Sequence, residues 1–335
     1  MASETTTLSR KDFQSDQEVR WCPGCGDYAI LKAVQSLFPD LGIPKEKFVV
    51  VSGIGCSSRF PYYMGTYGFH TIHGRAPALA TGLKVARPDL EVWVVTGDGD
   101  ALSIGGNHLI HVLRRNVGVK VLLFNNRIYG LTKGQYSPTS EVGKRTSSTP
   151  VGSIDNPFNP TSLALGAGAT FVARAVDIFQ KDLVEVLRRA AAHPGTAFVE
   201  IYQNCNIFND GAFAYMTAKD RRAEEVLYLE HGQPLVFAGG TRGLRLRDLR
   251  PEVIELGDGL TADDCLVWDE TNPALAMAMA HVVPPLFPTP VGVFRAVEQP
   301  VFESSVVQQI ETQIDAKGSG RLDDLLRSGD VWQVG

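Results

Sequence analysis

Apolar positions along this chain gather into short unbroken runs instead of alternating with polar ones. Lys47–Val51, Glu91–Thr96, Lys120–Phe124, Thr170–Ala173 and Ala197–Tyr202 are each dominated by consecutive β-branched or large apolar residues. Unbroken runs suit strands covered on both faces, as in a parallel sheet whose crossovers lie on either side. The intervening segments predict helices at about Tyr28–Phe38, Ala76–Ala86, Gly105–Arg115 and Asp177–His193. The second is rich in Gly and Ala, which permits close packing. This strand–helix alternation predicts an α/β fold on a doubly wound, mostly parallel sheet.

Around that core the pattern changes. Residues 1–18 are polar and read as a loosely ordered arm, and residues 19–216 as the main domain. Leu131–Pro160 is rich in Gly, Ser, Thr and Pro and too long for a simple connector, so it is expected to be functional or mobile. Beyond Thr217 the rhythm weakens. A charged stretch, Lys219-Asp220-Arg221-Arg222, leads to hairpin-like segments at Gly239-Gly240 and Gly257-Asp258-Gly259, and 217–335 reads as a C-terminal extension packing on the core or on a partner.

Composition narrows the possible functions. With 44% hydrophobic and 21% charged residues among 335, the chain has the make-up of a globular protein able to bury a substantial core. A net charge of −5 argues against nucleic acid as a partner, because phosphate binding wants a basic face. No apolar run approaches the roughly 18–20 residues of a membrane span, and the polar N-terminus has no secretory core, so the cytoplasm is expected. Five cysteines in such a chain are thiols or metal ligands before they are disulfides.

Two groups of residues carry candidate chemistry. Gly97-Asp98-Gly99 follows an apolar strand and precedes a helix, where glycines let backbone approach a phosphate and Asp98 offers a hard oxygen to Mg²⁺. Asn125-Asn126 closes the next strand and could supply a second ligand. A plain turn is the alternative at either place taken alone. Cys22 and Cys25 form a Cys-x-x-Cys, Cys56 lies in the loop after the first strand, and Cys205 follows the last core strand. Four thiolates hold either zinc or a [4Fe–4S] cluster. Their scatter over three segments is less typical of zinc. Cys265, in an apolar stretch, reads as simply buried.

The segments WCPGCGDYAI, SGIGCSSRFP, HGRAPALATGLK, GDGDALSIGGNHLIHVLRRN, FNNRIYGLTKGQYSPTS and QNCNIFND, spread over residues 21–210, resemble the β subunits of 2-oxoacid:ferredoxin oxidoreductases. The resemblance implies a thiamine-diphosphate-binding fold of the diphosphate-binding type. It implies Mg²⁺ on Asp98, Asn126 and the Ile128 carbonyl, with Gly55, Ser57, Gly97, Gly99, Asp100, Tyr129, Gly130 and Leu131 around the cofactor. One [4Fe–4S] cluster on Cys22, Cys25, Cys56 and Cys205 and coenzyme A as acyl acceptor follow in the same way. Arg59 is a candidate for the substrate carboxylate, against a structural ion pair. Lys133 is a candidate for a second carboxylate or the coenzyme, against a solvated surface lysine. His73 is a candidate for the diphosphate or the reacting centre, against a turn histidine; His70, His108 and His111 read as structural.

In this family the glutamate that activates thiamine diphosphate through its aminopyrimidine ring belongs to another subunit, and no second thiamine-binding domain is visible here. The resemblance therefore implies an obligate α subunit, ferredoxin as electron acceptor and a dimer of αβ units. The YGLTKGQYSPT loop is most similar to the 2-oxoglutarate-using branch. Pyruvate or a broader 2-oxoacid range stays open, as does a non-redox thiamine enzyme subunit with a structural zinc. Oxidative decarboxylation and reductive carboxylation are both compatible with the same residues.

Overall fold

The unbroken apolar runs become strands buried along most or all of their length. The computed structural model describes residues 8–248 and 250–335, so residues 1–7 of the expected arm lie outside the described residues. Eleven strands are present among the described residues: β1 (Phe48–Ser52), β2 (Tyr67–His70), β3 (Glu91–Gly97), β4 (Val119–Asn125), β5 (Phe171–Val176), β6 (Ala197–Tyr202), β7 (Val226–Leu229), β8 (Val236–Phe237), β9 (Arg242–Arg247), β10 (Arg250–Glu255) and β11 (Thr289–Ala296). Eight of them form one sheet in the order β2-β1-β3-β4-β6-β5-β11-β7, parallel at every pairing except β5 with β11. Strands β8, β9 and β10 form a small antiparallel sheet.

Successive side chains on a strand point to opposite faces, and the core divides accordingly. Val49, Val51, Val92, Val94, Val121 and Leu123 face one side, with Ala76 and Ala80 of α2 (Ala76–Ala86) and Leu109, Val112 and Leu113 of a later helix, Gly106–Arg115. Phe48, Val50, Trp93, Val95, Leu122 and Phe124 face the other side. There they meet α1 (Asp27–Leu37) and the helix Gln180–Ala192 through Ile30, Val34, Leu37, Leu183 and Leu187. The sheet is doubly wound, as the alternation predicts.

Some elements differ from expectation, each for a local reason. β2 is an exposed edge strand with no apolar run to announce it. Gly97-Asp98-Gly99 does not make a turn but enters a short helix, α3 (Asp98–Leu102), ahead of α4 (Gly106–Arg115). A further helix, α5 (Pro160–Gly166), starts at a proline and is capped by the Asn159 side chain, which accepts from Ser162 N at 3.1 Å. The long helix predicted after it is α6 (Gln180–Ala192). The glycine pairs flank a hairpin instead of forming its turn: β9 and β10 pair between Arg242 and Glu255, with Gly239-Gly240 before and Gly257–Gly259 after. Residues 8–18 are not loose, because Phe13 is fully buried edge-on against Phe38 and Phe48. Beyond Thr217, β7 and β11 extend the main sheet. Among the described residues no helix is long and apolar enough to cross a membrane.

Register fixes what emerges at the carboxyl edge of the sheet. Ser52 pairs with Val95, Gly97 with Phe124, and Asn125 with Tyr202. The loops after β1, β3, β4 and β6 therefore leave side by side, where open α/β sheets bind ligands. Beneath them Arg174 and Glu200 are direct neighbours on β5 and β6, their side chains 3% and 0% exposed and 2.8 Å apart. Glu200 also accepts from Asn125 Nδ2 (2.8 Å) and Thr161 Oγ1 (3.0 Å), and Arg174 donates to Thr161 Oγ1 and Pro290 O.

A buried pair satisfied in this way is costly to break from one side. Glu200→Ala should therefore destabilise the protein by about 3–5 kcal/mol, and Arg174→Met with Glu200→Leu together should recover most of that loss. Guanidinium denaturation midpoints measure both. A loss below about 1 kcal/mol for Glu200→Ala would mean that the pair contributes no more than an exposed ion pair.

Candidate functional site

The sharpest electrostatic feature lies at the first turn of α3. Asp98 is 2% exposed, and its Oδ2 accepts from Ser137 Oγ at 2.5 Å and Thr139 Oγ1 at 2.6 Å. Burial pushes its carboxyl above the usual range and the two hydroxyls pull it partly back, with no cationic side chain beside it. Thr139 Oγ1 also stands 2.9 Å from Asn125 Oδ1, so its one proton is shared between two acceptors. The carboxylate is thereby linked through Thr139 and Asn125 to the Glu200–Arg174 pair below.

Asp100 has a different task. Its carboxylate accepts from Ile54 N (3.1 Å), Gly74 N (2.7 Å) and Thr96 Oγ1 (2.7 Å), holding the loops after β1 and β2 over the site. Asn126 opens the turn after β4: its Oδ1 accepts from Ile128 N at 3.1 Å and its Nδ2 donates to Gln203 Oε1 at 2.8 Å. Arg127 takes a left-handed φ of 55°, with its guanidinium over the Phe213 ring at 4.7 Å.

These groups surround a cavity of about 580 Å³, within the range of small-molecule sites. Gly55, Ser57, His73, Gly97, Asp98, Gly99, Asp100, Asn126, Ile128, Tyr129, Gly130 and Leu131 all line it. Among the described residues lining it there is no glutamate. Tyr129 stands against Gly99: its hydroxyl donates to Gly99 O at 3.1 Å, and a Cβ on Gly99 would fall 2.1 Å from its ring.

A second cavity of about 220 Å³ adjoins the first and is lined by Cys22, Cys25, Cys56 and Cys205 together with Arg20, Arg59 and Lys133. Cys56, Asn126, Gly130 and Leu131 line both cavities and form the wall between them. At Gly130 an added Cβ would lie in ordinary contact with both sulfurs, 3.4 Å from Cys56 Sγ and 3.7 Å from Cys205 Sγ, so the wall runs close to both. Burial pushes the Cys25 thiol up strongly, with Asp27, Cys205 and Cys56 adding to the shift. Burial raises Cys56 to about 12, reinforced by Asp27, Cys205 and Cys22 and opposed by Arg59. Asp27 is itself buried, and neither carboxyl oxygen has a hydrogen-bond partner. Burial and then Asp177 push it up to about 7, the nearby Cys25 thiol offsetting little.

Among the described residues no three His, Cys, Asp or Glu side chains stand close enough to share a single metal ion. Cys265 lies elsewhere, buried against Gly243 of β9. Arg59 Nε donates to Tyr63 Oη at 2.9 Å, while Lys133 has a left-handed φ of 75°. Sequence reasoning missed Ser137, Thr139 and Gln203. The first two were visible only as hydroxyls in a long loop, and Gln203 only as the residue two before Cys205.

A family model described as thiamine pyrophosphate enzyme, C-terminal TPP binding domain, matches residues 53–201. The 2-oxoglutarate oxidoreductase subunit KorB of Mycobacterium tuberculosis is 56% identical over 330 residues, covering 97% of this chain and 88% of that one. The β subunit of 2-oxoacid:ferredoxin oxidoreductase 2 of Aeropyrum pernix is 37% identical, over 82% and 87% of the two chains. Among solved structures, a 2-oxoglutarate:ferredoxin oxidoreductase from Magnetococcus marinus, with 2-oxoglutarate, coenzyme A and succinyl-CoA bound, superposes with a TM-score of 0.78. It is 34% identical and covers 98% of each chain.

The contact between Gly99 and Tyr129 gives a test of the larger cavity. Gly99→Ala should push the Tyr129 ring aside and weaken thiamine diphosphate binding by about fivefold or more, since overpacking costs about 1–3 kcal/mol. Calorimetric titration of the cofactor measures this, and unchanged affinity would mean that the cavity binds something else.

Proposed function

This chain belongs to the 2-oxoacid:ferredoxin oxidoreductase β-subunit family, and from that premise we propose that it is the cofactor-bearing half of a 2-oxoglutarate:ferredoxin oxidoreductase. The balanced reaction is 2-oxoglutarate + CoA + two oxidised ferredoxins → succinyl-CoA + CO₂ + H⁺ + two reduced ferredoxins. The observation that carries this reading is the wall shared by the two cavities. A thiamine cofactor on one side and a redox cluster on the other would be separated by the wall of Cys56, Asn126, Gly130 and Leu131.

The donor groups fit the implied cofactors. Both hydroxyl bonds to Asp98 fall on Oδ2 and leave Oδ1 for a cation, which would relieve a buried carboxylate that has no counter-charge. Asp98, Asn126 and the Ile128 carbonyl are hard oxygen donors of the kind Mg²⁺ takes beside a diphosphate. Gly97 and Gly99, at the start of α3, let backbone approach the phosphates. Thiamine diphosphate, when bound, supplies the electron sink for cleaving the bond next to a 2-oxo carbon. His73 lies within reach of the same cavity to orient the reacting group.

The four cysteines supply soft donors around one cavity, yet among the described residues no three such side chains stand close enough to share a single ion, which favours a [4Fe–4S] cluster over zinc. The raised pKa values of Cys25 and Cys56 mean that metal binding must displace protons there, with Arg59 opposing the shift at Cys56. Arg59 and Lys133, at the same cavity, are also the candidates for the two carboxylates of 2-oxoglutarate, Arg59 through a bidentate fork and Lys133 as a point charge.

The absence of a glutamate from the described cavity lining leaves the aminopyrimidine partner to an α subunit. Exposed apolar side chains beside the cavity, Ile72 at 68% and Ile104 at 56%, supply a surface for that subunit to cover. The αβ pair would then dimerise, and it would work in either direction according to the potential of ferredoxin.

The function is tested anaerobically on the αβ complex by CoA-dependent reduction of a viologen dye. Reduction with 2-oxoglutarate and not with pyruvate is expected; the reverse would overturn the substrate, and no reduction with either would overturn the reaction. Cys56→Ser should bleach the visible absorption of the complex and abolish dye reduction while leaving thiamine diphosphate affinity within a few-fold. Full electron transfer by that variant would remove Cys56 from the cluster.

A further inference from the structure

The two centres are joined by one side chain. Gln203 follows β6, is 1% exposed, and is pinned by its backbone N–H donating to Asn125 O at 3.0 Å. Its Nε2 lies 2.5 Å from Asn204 O and 3.3 Å from Cys25 Sγ, and its Oε1 lies 2.8 Å from Asn126 Nδ2. A carbonyl oxygen only accepts, so the amide end facing Asn204 O must be the N–H₂ end. Its oxygen then faces Asn126, whose own N–H₂ must donate to it. That fixes Asn126 with Oδ1 on the opposite side, where it accepts from Ile128 N at 3.1 Å.

We propose that Gln203 is a positioning residue serving both cofactors at once: its amide oxygen orients the magnesium ligand Asn126, and its amide N–H hydrogen-bonds the sulfur of the cluster ligand Cys25. This rests on the reading of the two cavities given above. A hydrogen bond to a cluster sulfur stabilises the reduced, more negative state and so raises the reduction potential. Orienting the ligand carbonyl oxygen before a cation arrives lowers the cost of binding it. The same amide would therefore favour electron arrival at the cluster and cofactor retention at the thiamine site.

Two replacements separate these roles. Gln203→Leu removes the side chain's three hydrogen bonds, to Asn126, Cys25 and Asn204 O, at similar size. Gln203→Glu keeps an acceptor for Asn126 but replaces the donor toward Cys25 and Asn204 O with a carboxylate oxygen whose charge repels electrons. Redox titration followed by electron paramagnetic resonance on the anaerobic αβ complex gives the cluster midpoint, and calorimetry gives the affinity for thiamine diphosphate with Mg²⁺. For Gln203→Leu the midpoint should become more negative and the dissociation constant rise roughly two- to tenfold, the range of one hydrogen bond. For Gln203→Glu the midpoint should also fall, with the dissociation constant within twofold of the parent. An unchanged midpoint in both variants at full iron content overturns the cluster role, and unchanged affinity in Gln203→Leu overturns the Asn126 role. A parent complex without iron overturns the underlying cluster assignment and the sulfur bond with it.

Discussion

A carboxylate buried without a counter-charge is the constraint on which the rest of this structure turns. Asp98 sits at the first turn of α3 with Ser137 and Thr139 on one oxygen and no cation at hand. Desolvation of that kind is costly unless the carboxylate is paired or coordinates a cation. The surroundings follow from it. The long loop after β4 is held down because its hydroxyls reach Asp98, and Asn125 is held because Glu200 accepts its Nδ2. Glu200 is in turn held by Arg174, so a buried pair between β5 and β6 sets the floor of the site. Stability in the sheet and geometry at its carboxyl edge are parts of one hydrogen-bonded chain.

The second organising fact is adjacency. Thiamine chemistry releases electrons at a carbon atom, and an iron–sulfur cluster accepts them singly; the closer the two lie, the less any other acceptor can intervene. Gly130 bears on this directly. It lies on the wall between the cavities, and a side chain there would meet Cys56 and Cys205. Asn126 belongs to the same wall and is tied to Cys25 through Gln203. The loop after β6 thus serves both cavities, and Asn209, which donates to Asn126 O at 2.8 Å, binds its far end to the turn after β4.

Much of the scaffold is readable in the sequence because parallel strands covered on both faces must be apolar throughout. The helix Ala76–Ala86 and the strand Ala197–Tyr202 end where the pattern ends. β2 escapes because an exposed edge strand needs no apolar residues, and α5 escapes because it is short and begins at proline. The residues around the larger cavity are legible through Gly97-Asp98-Gly99 and Asn125-Asn126, whose spacing matches neighbouring strand ends. Gln203, Ser137 and Thr139 are not, since a glutamine or a hydroxyl acquires meaning only from what stands opposite it. Asp100 shows the converse. It sits two residues from Asp98 in the same motif, yet its Oδ1 is committed to the backbone at Ile54 and Gly74 and its Oδ2 to the Thr96 hydroxyl.

On the proposed reading a four-iron cluster and the thiamine site share one wall in this chain. Anomalous diffraction at the iron edge, from crystals of the αβ complex purified without oxygen, tests it most directly. Iron density bounded by Cys22, Cys25, Cys56 and Cys205, against Gly130 and beside Gln203, is the predicted result. A signal there at the zinc edge in place of iron, with iron-edge density absent from fully active complex, would contradict it.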